Sequence, residues 1–448
     1  MRKLIPILAA IVYVLTYCGY EKISLPKISD TVNVVFEPGK MKYIPVNPPW
    51  EGEPYNFDNP VDIFISVDDY IFVCDSGNAR VVVLKKTGEI VEADNFGNDF
   101  TILCKELKAW GKGELIYPTG VNVDSKLNIF ITNNSNEVYV WNQFINNVGV
   151  DSIASAVIYW NPSTGEERIV TDFSETEELE NNGFSIKRGI FELDSIAIDS
   201  IRSLHVFYRD VNYENSSFYA VASAPFGENK IYLTDKGNNR VAVIKLVRSA
   251  YLKLKNGITL WQHKGVFEYD AAVSGTGAGT VNDPRGIFVD NNNNIYYTQL
   301  GENFGVHKIR LLSTGKWISV FSVGVNEIMN LDMFDKPFDV AVSNSGNILV
   351  TNTGKNEVLE FNSQGNFLRK AGIREVQVDT TIIDTIVSDS GDTEFVQRDT
   401  LITRYYNDVL NRPKALFYDD EILYIVDSGN NRILRYKLSS DIDIEIPE

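Results

Sequence analysis

The chain has 448 residues and sets 42 Lys and Arg against 60 Asp and Glu, a formal net charge of -18. That length excludes a small stapled scaffold, and the charge argues against nucleic acid as a partner, because phosphate binding needs a basic surface. Hydrophobic residues at 44% and aromatics at 12% supply core for two or three domains, or equally for one large repeat domain, while three Cys (18, 74 and 104) and three His are too few for a disulfide framework, a Cys-rich zinc site or a His-rich metal centre.

The first feature along the chain is an address. Arg2 and Lys3 precede an apolar run over residues 4–17, interrupted only by Pro6 and Thr16, and Glu21-Lys22 open the polar chain. Such a run, at about 1.5 Å per residue, falls short of the roughly 30 Å hydrocarbon core, so residues 1–17 read as a secretion signal and not as a spanning helix. Leu15-Thr16-Tyr17-Cys18-Gly19 resembles a bacterial lipoprotein signal, with Cys18 as the lipidated first residue. Tyr17 departs from the usual small residue there, and cleavage after Cys18 is the competing reading. Residues 18–31 then form a tether. No second apolar stretch approaches membrane length, so the exported chain is expected at the cell envelope, held to a membrane by that lipid alone.

A repeated unit follows. It is an apolar segment after Pro, a turn, a second apolar segment, an Asp-x-Gly-Asn turn and a third strand-like run. The first copy runs from Asn59-Pro60-Val61-Asp62-Ile63 through Tyr70-Ile71-Phe72-Val73-Cys74-Asp75-Ser76-Gly77-Asn78-Ala79-Arg80. The second holds Pro118-Thr119-Gly120-Val121-Asn122-Val123-Asp124 and Asn128-Ile129-Phe130-Ile131-Thr132-Asn133. A third lacks the leading Pro, takes residues 218–221 as its first strand and keeps Leu233-Thr234-Asp235-Lys236-Gly237-Asn238-Asn239-Arg240. The fourth begins at Pro284-Arg285-Gly286, the fifth at Pro337-Phe338-Asp339, and the sixth at Pro413-Lys414-Ala415 with Val426-Asp427-Ser428-Gly429-Asn430-Asn431-Arg432.

These copies resemble the NHL repeat, a four-stranded antiparallel blade of a β-propeller, over about residues 59–439. The resemblance implies an all-β, six-bladed propeller of that type. The residues support it independently: β-branched and aromatic residues fill short runs bounded by turn formers, and radial stacking buries faces that one blade cannot bury alone. Gly77, Gly237 and Gly429 are expected to supply the positive φ of a tight connection, and Asp75, Asp235 and Asp427 to accept N–H bonds within it.

Repeat starts at 60, 118, about 218, 284, 337 and 413 are wider apart than the 40 to 45 residues a bare blade needs, so insertions are expected. One spans about 143–217, with an acidic loop (Glu175, Glu177, Glu178, Glu180) and a hairpin turning at Asn161-Pro162-Ser163-Thr164-Gly165; it is long enough for a seventh blade. Another spans 374–408, where two alternating runs flank Asp389-Ser390-Gly391-Asp392 as a hairpin arm. The last copy lacks an outer strand, which residues 32–36 or 41–46 can supply, closing the ring of a domain over 32–439. Asn47-Pro48-Pro49-Trp50 reads as a rigid entry to blade one. An acidic tail covers 440–448.

No nucleophile elbow, zincin helix, P-loop or paired CxxC is present. The turns after each second strand are expected to converge on one face with Asp75, Asn133, Asp235, Asn352 and Asp427, and with Asp62 and Asp339 nearby. Asp75, Asp235 and Asp427 are thereby the candidate ligands for calcium, against a reading in which each caps its own turn. His205, His263 and His307 fall at unrelated places in the repeat, and Cys74 and Cys104 read as free thiols. Arg80, Arg240 and Arg432 are placed to pair with the turn Asp. Two functions are open: a monomeric, non-enzymatic recognition or scaffold module for an envelope protein or glycan without a cofactor, and a calcium-dependent hydrolase or lyase resembling the gluconolactonase-like propellers.

Overall fold

The computed structural model of the chain describes residues 41–92, 100–141, 157–170, 176–188, 203–224, 229–253, 259–372, 375–387, 393–405 and 409–439. The signal, Cys18, the tether, residues 32–36 and the acidic tail lie outside them.

The first strands of six sheets touch in chain order, and the sixth touches the first, so the ring closes. Blade one holds Pro60–Ile65, Tyr70–Asp75 and Arg80–Lys85, with a short outer edge where Ile90 bridges to Leu84. Blade two holds Gly120–Val123, Ile129–Thr132, Glu137–Trp141 and Leu204–Arg209. Blade three holds Phe218–Ser223, Lys230–Asp235, Arg240–Lys253 and Thr259–Ala272. Blade four holds Pro284–Val289, Ile295–Gln299, Val306–Leu311 and Trp317–Ser319. Blade five holds Pro337–Val342, Ile348–Asn352, Glu357–Phe361 and Phe367–Ala371. Blade six takes Pro413–Asp419, Ile422–Asp427 and Arg432–Ser439 from the end of the chain and its outermost strand, Lys42–Trp50, from the beginning. The protein is an all-β, six-bladed propeller.

The continuous apolar runs have a simple cause. Alternate residues of a strand leave opposite faces, and here both faces are covered by neighbouring blades. Ile71 and Val73 pack toward blade six with Val426 and Ile433, whereas Phe72 and Cys74 pack toward blade two with Ile129 and Ile131. Each interface has its own buried cluster: Phe130 with Leu233, Tyr232 with Ile295, Tyr296 with Val350, and Leu349 with Ile425 mark the other four. At about 1.5–3 kcal/mol per buried large side chain, these clusters hold the ring together.

Hydrogen bonds stitch the same interfaces near the axis. Thr132, Thr234 and Thr298, all buried in second strands, donate to the carbonyls of Tyr219, Arg285 and Phe338 in the next blade at 2.8, 2.7 and 2.8 Å. Thr353 reaches Pro413 O at 2.5 Å, and Ser428 reaches Pro60 O. Between blades one and two the link is Asp62 Oδ2, which accepts Val121 N–H at 2.8 Å.

The turn glycines act differently from expectation. Gly77, Gly237 and Gly429 do not have positive φ; the left-handed conformation falls two residues later, on Ala79, Asn239 and Asn431 (φ 49, 52 and 53°). Close approach is what requires glycine. An added Cβ at Gly237 would lie 1.6 Å from Asn215 O, and at Gly77 it would lie 2.6 Å from Asp58 O. Asn239 and Asn431 use their side chains as well, accepting the N–H of Asp283 and Asn59 in the next blade at 2.7 and 2.9 Å.

Closure uses the second of the two expected segments: Lys42 pairs with Ser439 and Val46 with Arg435, then a bulge leads to Trp50 opposite Ile433. The proline-rich stretch therefore belongs to this strand. Among the described residues the earlier insertion makes no seventh blade. Val157–Trp160, Glu167–Val170 and Ser185–Arg188 form a small three-stranded sheet beside the helix Thr176–Asn181, after which the chain returns as the outer strand of blade two. The later insertion is a ribbon in which Glu375–Val387 and Thr393–Tyr405 pair in unbroken register.

Candidate functional site

The three candidate metal ligands stand in separate blades, and each clamps the loop that enters its own blade. Asp75 accepts Asp58 N–H at 2.7 Å, Asn78 Nδ2 at 2.8 Å and Arg80 Nε at 2.7 Å. Asp235 accepts Ser217 N–H, Asn238 Nδ2 and Arg240 Nε, each at 2.8 Å. Asp427 accepts Asn411 N–H at 2.6 Å, with Asn430 and Arg432 both at 2.8 Å. Gln299 and Asn352 play the same part in blades four and five, accepting Asn282 and Asp335 N–H at 2.9 and 2.7 Å. Asn133 instead accepts Ser135 Oγ at 2.6 Å. A cation at any Asp would have to displace N–H donors, and among the described residues no group of three His, Cys, Asp or Glu is placed to hold a metal. His205, His263 and His307 lie in blades two, three and four, and His307 is buried flat against Tyr297. Cys74 and Cys104 are free thiols.

The first strands instead enclose a central cavity of about 500 Å³. At the end carrying the Asp turns, Tyr219 of blade three meets Phe338 of blade five edge-on across the channel, ring centres 5.8 Å apart. The Arg285 guanidinium lies over both rings, at 5.3 and 5.7 Å, and is held by Asp283. That end is narrowed. Toward the other end, at the fifth residue of each first strand, Phe417 contacts Phe64 at 5.1 Å and Phe288 at 6.5 Å, forming an aromatic waist from blades six, one and four. Beyond the waist the cavity is bordered by exposed turns that join first to second strands, with Val67, Ser125, Asn291, Asn292 and Asn344 at its rim. The accessible mouth is therefore opposite the Asp turns, on the face the sequence did not single out.

Four carboxyls, of Asp62, Asp290, Asp339 and Asp419, and two lysines, Lys308 and Lys414, line this cavity. Asp62 and Asp339 present surface to the channel but are otherwise enclosed. Burial pushes Asp339 up to about 7, against the opposing N–H bonds of Leu416 and Val340. Burial, then the charge of Asp339, raises Asp62 well above the usual carboxylate range. Lys414 donates to Asn59 at 2.8 Å, and its pKa is lowered by burial and by Arg412. Lys308 reaches in from a third strand and lies over the Tyr296 ring at 4.8 Å. Asn122, only 4% exposed, lines the wall with an Oδ1 that meets no donor. No repeat signature marks these residues, since their type varies from blade to blade.

No protein-family model and no curated protein matches the chain. Among solved structures it is similar to a gluconolactonase from Xanthomonas campestris, at 11% identity over 89% of this chain and 98% of that one, TM-score 0.41. It is also similar to an auxiliary nutrient binding protein from Bacteroides ovatus, at 12% over 89% and 78%, TM-score 0.43. A virginiamycin B lyase from Staphylococcus aureus gives 11% over 89% and 99%, TM-score 0.40. Such distant likeness carries nothing about activity, and the fold stands on the strand pairing above.

Proposed function

We propose that the chain is an exported recognition propeller of the NHL kind, lipid-anchored through Cys18, that binds a glycan in the open half of its channel. One observation carries this reading: the waist of Phe64, Phe288 and Phe417 stands at the base of a vestibule rimmed by Ser and Asn. A sugar has apolar C–H faces and hydroxyl edges. Aromatic faces take the first, and amides and hydroxyls take the second, which is the mix of apolar wall and few directed polar groups that small-ligand sites use. The signal residues Arg2, Lys3 and Cys18 support export and anchorage. Calorimetric titration with an oligosaccharide panel tests the site: Phe417→Ala is expected to weaken binding by at least tenfold with the melting profile retained. Unchanged affinity in that variant would overturn the vestibule as the site.

The second reading, a calcium-dependent hydrolase or lyase, draws on Asp339, whose carboxyl near pKa 7 suits proton transfer. Under it, EDTA lowers the melting temperature and added calcium restores it. Because the turn carboxylates are occupied by N–H donors, we expect no shift in either direction.

A further inference from the structure

We propose that the glycan is acidic, and that Lys308 reads a carboxylate on it. This rests on the vestibule reading above. Lys308 lies opposite Tyr296 in the strand register, and its half-buried side chain crosses that ring to the cavity wall. Several other lysines of this acidic chain have carboxylate partners, Lys86 with Asp419 at 2.6 Å, Lys230 with Glu268 at 3.1 Å, Lys370 with Glu357 at 2.7 Å and Lys112 with Glu137, while Lys414 of the same cavity donates to the Asn59 amide oxygen at 2.8 Å. Among the described residues, no carboxylate or other acceptor pairs with the Lys308 ammonium. The acid that bears on it, Asp290, is already engaged by Asn294 Nδ2 at 2.7 Å and Tyr296 Oη at 3.1 Å, and lies beyond salt-bridge reach. Arg310 adds like charge from the same strand.

A cation taken partly out of water without a partner is unfavourable, and an anion delivered by the ligand offsets that cost. The exposed Ser125, Asn291 and Asn292 at the rim supply partners for sugar hydroxyls. The ligand so defined carries one anionic group among neutral hydroxyls, as a uronic acid does.

The experiment compares oligogalacturonate and oligoglucuronate with their methyl esters, which remove the charge and add one methyl group to each carboxyl. We expect the acids to bind at least tenfold tighter than the esters at low salt, with the ratio shrinking as salt rises. Lys308→Met should erase the ratio without lowering the melting temperature, and Lys308→Arg should preserve the ratio. Equal binding of acid and ester, or a ratio that survives Lys308→Met, overturns the acidic ligand and leaves the glycan site standing. If no acid, ester or neutral sugar of the panel binds, the glycan reading falls with it.

Discussion

Two residues beyond each entry proline, or beyond Phe218 in blade three, stand Asp62, Gly120, Ala220, Gly286, Asp339 and Ala415. The neighbouring blade imposes the small size: a Cβ on Gly120 would lie 2.9 Å from Ala220 Cα, and one on Gly286 would lie 2.6 Å from Asp339 Cα. Asp62 and Asp339 fit because each carboxyl accepts an N–H of the next blade, Val121 at 2.8 Å and Leu416 at 3.0 Å. Holding the Asp339 pKa near 7 has a consequence for stability. From about pH 4 to 7 the folded chain keeps a proton that the unfolded chain releases, so this carboxyl costs stability as pH rises and the cost is complete above 7. The melting temperature of the natural protein should therefore fall from pH 5 to 8. Asp339→Asn, whose amide oxygen still accepts Leu416 N–H, should flatten the profile and melt a few degrees higher at pH 8, at about 1.4 kcal/mol per pKa unit. Parallel profiles would show a carboxyl that ionises freely through the channel. The turn glycine gives a second test at this scale. Gly237→Ala should cost more than about 2 kcal/mol, because its Cβ overlaps Asn215 O, whereas Asn239→Gly keeps the left-handed turn and loses about 1 kcal/mol with the bond to Asp283. The opposite order in thermal melts would show that the loop at Asn215 yields to a Cβ on Gly237.

At the scale of elements, strands were legible and sites were not, for one physical reason. A blade strand is buried on both faces, so Tyr70-Ile71-Phe72-Val73-Cys74 announces itself by composition, and the Asp-x-Gly turn recurs in blades one, three and six because each uses the same clamp on its entry loop. The cavity has no such repetition. Lys308 enters it from a third strand, and Phe64, Phe288 and Phe417 come from blades far apart in sequence, so their meeting is a product of ring closure and not of any local pattern. The glycine error has a similar origin: residue type suggested backbone freedom, while packing between loops, invisible in one sequence, demanded the space. Closure itself was readable as a missing strand, and it makes a prediction. The strand Lys42–Trp50 covers the edge of Arg432–Ser439 and brings Tyr43 to Glu360 at 3.0 Å and Trp50 against Tyr424 at 5.9 Å. Removing residues 41–50 should expose an unpaired edge, lower the melting temperature by well over 5 °C and produce self-association in light scattering. A truncated chain that stays monodisperse and melts at the same temperature would show that the ring does not depend on its first strand.

The chain as a whole is acidic, and that bears on how it would be held at an envelope. Among the described residues no helix is long and apolar enough to cross a membrane. A net charge of -18 sets the chain against the anionic surface of a lipid bilayer, so electrostatic adhesion cannot hold it there and works against any contact beyond the anchor. Attachment through Cys18 would then be the whole of the affinity. This yields a pattern that separates lipid from charge. The natural protein should sediment with membranes at both low and high salt, because screening removes repulsion and leaves buried acyl chains untouched, and it should be released by detergent. Cys18→Ser should leave it in the soluble fraction, or uncleaved, at every salt concentration. Release of the natural protein by salt alone, or membrane sedimentation of mature Cys18→Ser, would place the attachment on a protein partner of the ring instead.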